Sequence, residues 1–380
     1  MPYSAERIMH DADSHIMETR DWLAPYLDEQ APIAMRSLYG KERSPVDDLL
    51  EKAKSRQHDA AAEEKAATDP IAGPKGWMAY GAFDSGERSK ALDTLGFKRQ
   101  LVFSTASIGP LQRAKTEQDL YQGVRAHNLA MSQFCASDPR LQGVAYVPLD
   151  NVELAVEEAR FAIEQGCKAV QVFAGPSGGR SPGHRDIDPF WQLLSDSNIP
   201  FMLHIGPGTI TQQRDYHNNG RKRAPDLHGG GENLRFPDYA MLAYAPQNYL
   251  IALIYDGVFE RFPLLRGGVI ESGAAWVPGF LDQVDFAYKG FRKTDPYLGE
   301  LTMKPSDYIR RAIKFTPFPG EDAGKIIRDG GADLFMFSSD YPHPEGTNDP
   351  LGRFEHYLDE LSEADKDKFY RANYETMMGL

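Results

Sequence analysis

The sequence predicts a (β/α)8 barrel, in which eight parallel strands alternate with helices and close into a ring. Eight short apolar segments rich in β-branched residues recur along the 380-residue chain, each bounded by turn residues. Most intervals between them carry the three-and-four spacing of amphipathic helices. Nearly continuous apolar strands separated by helices are typical of a parallel sheet covered on both faces. A doubly wound open sheet is the alternative, although no Gly-rich G-x-G-x-x-G turn follows the first strand to indicate dinucleotide binding.

The predicted elements follow one another in a regular order. The candidate strands cover residues 7–15, 99–105, 141–149, 167–173, 199–206, 265–272, 313–318 and 333–340. Helical periodicity predicts helices over 119–135, 152–165, 188–196, 276–290 and 322–329. In the helix over 152–165, Asn151 is the candidate N-cap and Gly166 the candidate stop, because these residue types are common at those positions.

Two segments interrupt this alternation. The first, over about 40–95, is predicted as an insertion after strand one, with a charged helix over 46–66 and a Pro/Gly/aromatic loop over 67–88 that could cover one barrel end. The second is a long polar loop over 207–237 after the fifth strand, which we interpret as a substrate lid. The tail over 349–380 is predicted to be helical and to pack outside the barrel. We expect a single domain over residues 1–380.

The composition favours a folded protein that acts on a small molecule. The chain is 41% hydrophobic, enough for a large core, and its formal net charge is −13. Such an acidic surface repels nucleic acid and anionic membranes, so we expect neither as a partner. The N-terminus lacks an apolar leader and the most apolar run, over 249–254, is too short to span a bilayer, which predicts a cytoplasmic protein. A homodimer fits such a barrel, although no segment requires one.

The two cysteines, Cys135 and Cys167, give little support to a disulfide framework or a thiolate zinc site. We expect both to pack in the core.

Polar residues close four of the predicted strands. Asp13 and His15 end the first strand, His204 the fifth, Glu271 the sixth and Asp340 the eighth. In a parallel barrel the catalytic groups lie at the C-terminal ends of the strands, so we expect these side chains to meet. Asp13 and His15 are two residues apart and therefore share one face of their strand.

The same residues predict a metal site. Carboxylates and imidazoles that converge in an apolar barrel mouth raise one another's cost of ionisation, and a divalent cation relieves this cost. Oxygen and nitrogen ligands without thiolates suit zinc, manganese or iron. Asp11 lies one pleat below Asp13, and we expect it to support the ligands from there. The alternative for each residue taken singly is an ordinary hydrogen-bonded side chain, and the ordered set of four strand ends favours the metal.

Four stretches of the chain carry a family resemblance: DADSHIME at 11–18, LHIG at 203–206, GVFERFPLLRGGVIESGAAWVP at 257–278 and FSSDYPHPEG at 337–346. In this order they resemble the amidohydrolase-related family of metal-dependent TIM barrels. That family includes hydrolases and the aminocarboxymuconate semialdehyde and γ-resorcylate decarboxylases. The resemblance implies a divalent metal held by strands one, five and eight. Its ligands would be Asp13, His15, His204 and Asp340, and Asp340 would also handle protons.

The chain departs from the family pattern at two places. Glu271 stands where many members have a histidine that serves as acid or base, which weakens a decarboxylase mechanism built on that histidine. The lysine or glutamate that bridges two metals on the fourth strand of binuclear relatives is missing, since that strand ends in Gln171 and Phe173. A second ion would need other ligands, for which Glu18 and Glu271 are the candidates.

These residues lead to two enzymatic hypotheses. In the first, one divalent metal with Asp340 or Glu271 as acid and base hydrolyses an amide, ester or lactone-like bond, or supports non-oxidative decarboxylation of a small organic or aromatic acid. In the second, Glu18 and Glu271 help to bind two iron or manganese ions, and the protein is an oxygenase. A non-catalytic barrel that serves as a binding or structural subunit is a third hypothesis, which the polar strand ends oppose.

Three further residues are candidate substrate-binding groups. Arg180 and His184 follow the fourth strand and could hold a substrate anion. His343 follows Asp340 by three residues and could bond to it or face the open side of the metal. A solvated or loop-fixing role is the alternative for each.

Overall fold

The structure is a computed structural model that describes residues 2–5, 7–206, 209, 214–222 and 236–380. The predicted lid over 207–237 therefore lies largely outside the described residues. The strands are β1 (His10–Asp11), β2 (His15–Ile16), β3 (Arg99–Ser104), β4 (Leu141–Tyr146), β5 (Ala169–Gln171), β6 (Phe201–His204), β7 (Gly267–Ile270) and β8 (Ile313–Phe315). The α-helices are α1 (Ile33–Arg36), α2 (Pro45–Arg56), α3 (Ala60–Thr68), α4 (Ser85–Leu95), α5 (Ile108–Gln112), α6 (Glu117–Cys135), α7 (Val152–Glu164), α8 (Asp188–Asp196), α9 (Phe236–Tyr239), α10 (Tyr244–Tyr255), α11 (Val258–Arg261), α12 (Val277–Phe291), α13 (Pro305–Ala312), α14 (Ala323–Gly330), α15 (Pro350–Leu358), α16 (Glu363–Asp367) and α17 (Asn373–Met378).

The strands form one parallel sheet in the order β1, β3, β4, β5, β6, β7, β8. β2 continues the first strand beyond β1 and also pairs with β3, with His15 opposite Phe103. The pairing of β6 with β7 places His204 opposite Ile270, so His204 and Glu271 leave neighbouring strands at the same edge of the sheet. All strand ends that carry candidate ligands therefore face one side of the molecule.

The segment over 334–341 joins the two edges of this sheet. It makes isolated parallel bridges, Phe335 with Phe315 and Tyr341 with Ser14, where the sequence predicts a regular eighth strand. Its backbone forms hydrogen bonds with both edge strands. On the β8 side, the amide of Phe315 donates to the carbonyl of Leu334 and the amide of Met336 donates to that of Phe315. On the side of the first strand, the amides of Ala12, His15 and Asp340 donate to the carbonyls of Phe337, Tyr341 and Asp13, respectively. The result is a curled parallel α/β sheet, consistent with the predicted barrel.

The helices between the strands lie close to their predicted bounds. α8 has the predicted bounds, and α6, α7, α12 and α14 differ from the prediction by at most two residues at an end. Asn151 caps α7 by accepting a hydrogen bond from the amide of Leu154, and Gly166 after it has a φ of +103°, where glycine is favoured. Among the described helices, none has the length and apolar character needed to cross a membrane.

The single helix predicted over 46–66 is wrong, because the structure has two helices there, of which α2 ends at Arg56 and α3 begins at Ala60. Asp59 is the reason: its side chain accepts hydrogen bonds from the amides of Ala61 and Ala62 and so starts α3 as a separate helix. α2 and α3 belong to the segment between β2 and β3, which also contains α4.

The prediction that the C-terminal tail packs outside the barrel is also wrong for its last helix. Tyr374, Met377 and Met378 of α17 share one buried cluster with side chains from the strands. The Tyr374 hydroxyl donates to Gln142 Oε1 on β4 at 2.6 Å. The large apolar side chains of α17 therefore close the end of the sheet opposite the strand ends that carry the candidate ligands.

Candidate metal centre

Six buried side chains converge at the C-terminal ends of the strands, and we call them the metal cluster. They form two overlapping groups in which one ligand atom per residue lies within 4.8 Å of the others. The groups are Asp13, His15, His204 and Glu271, and then His15, Glu271, Asp340 and His343. The structure thus brings together five of the six predicted ligands and adds His343, while Glu18 lies elsewhere.

Backbone carbonyls orient two of the imidazoles. Nδ1 of His15 lies 3.3 Å from the carbonyl oxygen of Ser104, and Nδ1 of His204 lies 2.8 Å from that of Ile205. Because a carbonyl can only accept, a neutral ring carries its proton on Nδ1 and presents the lone pair of Nε2 to the cluster. Both Nε2 atoms lie beside Asp13 Oδ1, at 3.3 Å for His15 and 3.4 Å for His204.

The donor atoms have nearly the mutual spacing of ligands around one ion. Glu271 Oε2 lies 3.4 Å from His204 Nε2 and 3.6 Å from His15 Nε2, and Asp340 Oδ1 lies 3.6 Å from His15 Nε2. Atoms about 2.1 Å from one metal are roughly 3.0–3.4 Å apart in octahedral or tetrahedral geometry. Three carboxylates and three imidazoles without a thiolate form a donor set that fits zinc, manganese or iron.

Both carboxylates at the later strand ends stand on strained backbone. Glu271 has a φ of +50° and Asp340 a φ of +52°, which costs a non-glycine residue of the order of 1–3 kcal/mol. The amide of Glu271 donates to Thr316 Oγ1 at 3.1 Å, and the amide of Asp340 donates to the carbonyl of Asp13 at 2.9 Å. These bonds hold the backbone of each residue in the positive-φ conformation from which its carboxylate reaches the cluster.

The imidazoles balance the charge of the carboxylates. Burial raises the pKa of Asp13, but hydrogen bonds from His15 and His204 hold it well below its ordinary range. Burial lowers the pKa of His204, and the hydrogen bond and charge of Asp13 raise it above its ordinary value overall. The pKa of His343 is also raised, because Asp340 and Glu271 outweigh burial and the charge of His15. The cluster therefore attracts positive charge.

His343 is held between Asp340 and the loop after β3. Its Nδ1 lies 2.9 Å from Asp340 Oδ1 and its Nε2 lies 2.9 Å from the hydroxyl of Thr105. The ring also stacks on His15, with 4.0 Å between the centroids. Of the three predicted substrate-binding residues, His343 is the one that lies in the cluster, where it can fix the orientation of Asp340 or bind metal itself.

Glu18 anchors a loop and does not face the other carboxylates. Its fully buried carboxylate accepts hydrogen bonds from the amides of Thr105 (3.2 Å), Ala106 (3.0 Å) and Ser107 (3.1 Å), and from the Ser107 hydroxyl (2.9 Å). These four donors occupy both carboxylate oxygens. The structure therefore places Glu18 outside both donor groups: β2 ends at Ile16, so the two-residue alternation does not extend to Glu18.

Replacing Glu18 with glutamine should destabilise this loop without removing metal. The amide side chain would present a donor to backbone donors, and we expect a loss of about 1–3 kcal/mol in the free energy of unfolding. Urea unfolding of metal-loaded protein measures this, with exposed Glu29→Gln as the matched control, for which we expect no change. If Glu18→Gln instead lost metal at unchanged stability, Glu18 would be a ligand after all.

Asp11 supports the cluster from below, as its position in the sequence predicts. Its carboxylate accepts from the hydroxyl and amide of Ser339, at 2.6 and 2.8 Å, and from Nε2 of Gln100 at 2.8 Å. The buried Arg88 of α4 donates to Oε1 of that Gln100 at 3.0 Å and also to the carbonyl of His15. Asp11 thus ties the first strand to the segment that carries Asp340.

Arg180 and His184 lie outside the metal cluster. Nη2 of Arg180 donates to the carbonyl of Asp150 at 2.8 Å, and Nη1 lies 3.8 Å from exposed Asp186. His184 is 48% exposed, and its Nδ1 accepts from the amide of Asp186 at 3.2 Å. His184 therefore caps a short turn, whereas Arg180 lines a cavity that is described below.

Sequence reasoning missed Thr105, Gln100 and Ser339. Each stands on or beside a predicted strand and binds a cluster residue or Asp11 through a short polar side chain. Such residues are common at strand ends, and nothing in their spacing separates them from surface residues. Thr105 closes the predicted strand over 99–105, which is the one signal that could have drawn attention to it.

A small enclosed cavity, which we call the reaction cavity, adjoins the cluster. Its volume is about 40 Å³, enough for about three water molecules. His15 and His204 form its metal side, and its other walls include Tyr146, Phe173, Gln112 and Gln171. The cavity thus lies against two imidazoles of the cluster, with aromatic and amide side chains in its other walls.

Solved structures with the same fold cover almost the whole chain. The chain is similar to an amidohydrolase from Mycobacterium avium subsp. paratuberculosis K-10, with 21% identity, a TM-score of 0.74, and 98% of this chain and 100% of the other covered. It is also similar to 2,6-dihydroxybenzoate decarboxylase from Rhizobium (18%, 0.63, 98% and 99%). A dihydroxybenzoic acid decarboxylase from Polaromonas sp. JS666, solved with bound manganese and 2-nitroresorcinol, is similar as well (18%, 0.64, 98% and 97%). At these identities the similarity establishes the fold.

Among curated proteins, none matches the chain significantly. The family assignment comes from a family model described as amidohydrolase, which matches residues 11–377. Because that match includes every residue of the metal cluster and nearly the whole chain, the protein belongs to the amidohydrolase family.

Proposed function

We propose that the protein is a metal-dependent enzyme that hydrolyses an amide, ester or lactone-like bond, or decarboxylates a small organic or aromatic acid without oxidation. One observation carries this proposal: six buried ligand side chains from four separate segments of the chain converge beside a cavity at the C-terminal edge of a parallel sheet. A purely structural barrel has no need to bury three carboxylates and three imidazoles together.

The proposed metal ligands are Asp13, His15, His204 and Glu271, and Asp340 belongs to the second donor group, which shares His15 and Glu271 with the first. A divalent ion bound there would lower the pKa of a coordinated water and polarise a substrate carbonyl or carboxylate. Ser104 and Ile205 keep the two imidazoles oriented towards the ion through their carbonyls.

We assign proton transfer to Asp340. Its Oδ1 lies beside both His15 Nε2 and His343 Nδ1, at 3.6 and 2.9 Å. In hydrolysis it would accept a proton from water and return it to the leaving group; in decarboxylation its protonated form would deliver a proton to carbon. His343, fixed by Thr105, would keep Asp340 aligned for either reaction, and Glu271 is the second candidate base.

Metal analysis combined with a substrate panel tests this proposal. Protein purified without added metal should contain zinc, manganese or iron. The metal-loaded enzyme should turn over at least one member of a panel of esters, lactones, amides and hydroxybenzoic acids, with product analysis separating hydrolysis from CO₂ release. A protein that binds no divalent metal tightly would refute the proposal.

A second candidate function is a dinuclear oxygenase. The observation that favours it is the pair of overlapping donor groups, which share His15 and Glu271 and could each hold one ion. In this version His343 takes the place that the sequence suggests for Glu18. Two iron or manganese ions per chain together with substrate-dependent oxygen consumption would support it, and one zinc per chain would exclude it.

Metal removal should reverse the dependence of stability on pH. The folded-state pKa values of His204 and His343 lie above the ordinary 6.5, so their protonation stabilises the metal-free protein below pH 6.5. That contribution disappears as the pH rises through the folded-state values. In metal-loaded protein protons compete with the ion, so stability should rise with pH. Urea unfolding between pH 6 and 9, with and without chelator, measures both slopes, and parallel slopes would contradict the metal site.

The segment between β2 and β3 is proposed to cover the mouth of the barrel. The amide of Gly76 donates to the carbonyl of Pro342 at 2.8 Å, and Nε1 of Trp77 donates to the carbonyl of Glu18 at 3.2 Å. Both contacts support this role, since Pro342 lies between Asp340 and His343 and Glu18 follows His15 by three residues. The lid over 207–237, a homodimer and a cytoplasmic location are proposed on the sequence alone.

A further inference from the structure

The reaction cavity is too small for a whole organic substrate. Its volume of about 40 Å³ admits a carboxyl group or a scissile bond, whereas small-molecule sites in proteins are usually about 300–1,000 Å³. The remainder of any substrate must therefore lie in a neighbouring space. The walls of the reaction cavity show where that space is.

A second cavity, which we call the side cavity, shares two wall residues with the reaction cavity. Its volume is about 520 Å³, and it lies between the loop over 173–182 and α10. Phe173 and Ala174 line both cavities. The two spaces are therefore neighbours that meet at Phe173 and Ala174.

The lining of the side cavity is mostly apolar, with Ser181 and Asn248 as neutral polar side chains and one cation. Its apolar wall consists of Phe173, Ala174, Pro176, Pro182, Ala245 and Ala252, together with the ring of Tyr249. Arg180 is its charged residue, and no aspartate or glutamate is among the described residues that line it. An apolar group with a negative charge therefore complements this lining, and a cationic ligand does not.

One N–H group of Arg180 has no hydrogen-bond acceptor. Its Nη2 is engaged by the carbonyl of Asp150, and its loop is held by the paired backbone bonds between Ser177 and Arg180. Its Nε is buried and has no hydrogen-bond partner. The hydroxyl of Tyr249, in the same cavity wall, is also buried without a partner. Two buried donors without acceptors are costly in a protein interior, and a ligand oxygen would satisfy them.

A large cavity next to His184 lacks these properties. It has a volume of about 510 Å³, but its lining sets four carboxylates against two arginines, and it shares no residue with the reaction cavity. The carboxylates are those of Asp256, Glu260, Asp295 and Glu300, and the arginines are Arg185 and Arg261. It is therefore both the wrong charge for an organic acid and separate from the metal cluster.

We propose that the side cavity is the subsite for the part of the substrate that does not react, and that it takes an aromatic or similarly apolar group bearing a carboxylate, bound by Arg180. This proposal rests on the proposed function, because it assumes that the reaction takes place at the metal cluster. It assigns to the enzyme an elongated substrate with an anionic group remote from the reacting bond.

Binding of phenylacetate to metal-free protein tests the subsite directly, because no metal is then present to bind the carboxylate. We expect saturable binding by calorimetry, at least about tenfold weaker binding of neutral phenylacetamide, and a loss of at least about tenfold for phenylacetate in Arg180→Gln. Arg185→Gln, an exposed arginine outside the side cavity, is the matched control and should bind like the wild type.

A second variant keeps the test independent of the arginine. Ala252→Phe places a large ring in the side cavity from α10, so it should abolish binding of both probes while the thermal midpoint of the metal-free protein stays unchanged. No saturable binding to the wild-type protein, or equal affinity in Arg180→Gln, would overturn the subsite. Since neither measurement uses turnover or metal, these outcomes are separate from the outcome of the metal analysis.

Discussion

Asp340→Asn should lower kcat by roughly a hundred- to ten-thousandfold on any substrate that the enzyme turns over. The asparagine keeps the volume of the side chain and one oxygen near His15, but it can neither accept nor deliver the catalytic proton. It also removes the charge that faces His343 at 2.9 Å. Steady-state kinetics on metal-loaded protein measures the effect, and metal content measured on the same sample separates loss of chemistry from loss of the ion.

Asp282→Asn is the matched control, because Asp282 is exposed on α12 and belongs neither to the metal cluster nor to the lining of the reaction cavity. We expect its kcat to equal that of the wild type. Full activity in Asp340→Asn with the metal retained would remove Asp340 from proton transfer and leave Glu271 as the acid and base.

His15→Gln should weaken metal binding by more than about a hundredfold, the upper end of the effect of losing a residue that only supports a ligand. His15 is the imidazole shared by both donor groups, and its Nε2 lies within 3.6 Å of Asp13, Glu271 and Asp340. Losing it leaves three buried carboxylates with one imidazole fewer beside them. Metal stoichiometry after dialysis against a weak chelator should fall to near zero.

The exposed His58→Gln on the segment between β2 and β3 serves as the control and should retain the wild-type metal content. If His15→Gln lost only one of two ions, the result would support separate metal positions. If it lost none, the cluster would be an internal hydrogen-bond network and the proposed function would fail.

The agreement between sequence and structure is closest where a local pattern decides the outcome. α7 begins and ends where Asn151 and Gly166 predict, because capping depends on residues next to each other in the chain. α3 shows the limit of the same reasoning: the helical pattern over 46–66 is continuous, but the side chain of Asp59 starts a new helix within it.

The candidate site shows a similar division. Asp13, His15, His204, Glu271 and Asp340 were identified because each closes an apolar strand, and parallel strands deliver their ends to one edge. Glu18 lies outside the cluster because its partners are backbone amides of the loop after β3, and no sequence pattern singles out such amides. His343 reaches the cluster through the bend at Asp340, whose φ of +52° no sequence pattern reveals.

By itself the sequence determined the alternation of strands and helices, the acidic character of the protein and the residue types available at the strand ends. These follow from periodicity and composition, which act between near neighbours along the chain. Tertiary structure alone decided that Glu18 ties down a loop, that α17 closes the bottom of the sheet, and that Arg180 faces an apolar cavity beside Phe173. Each of these depends on contacts between segments far apart in the chain. The position of each side chain is set there by which hydrogen-bond partners and how much space the neighbouring segments provide.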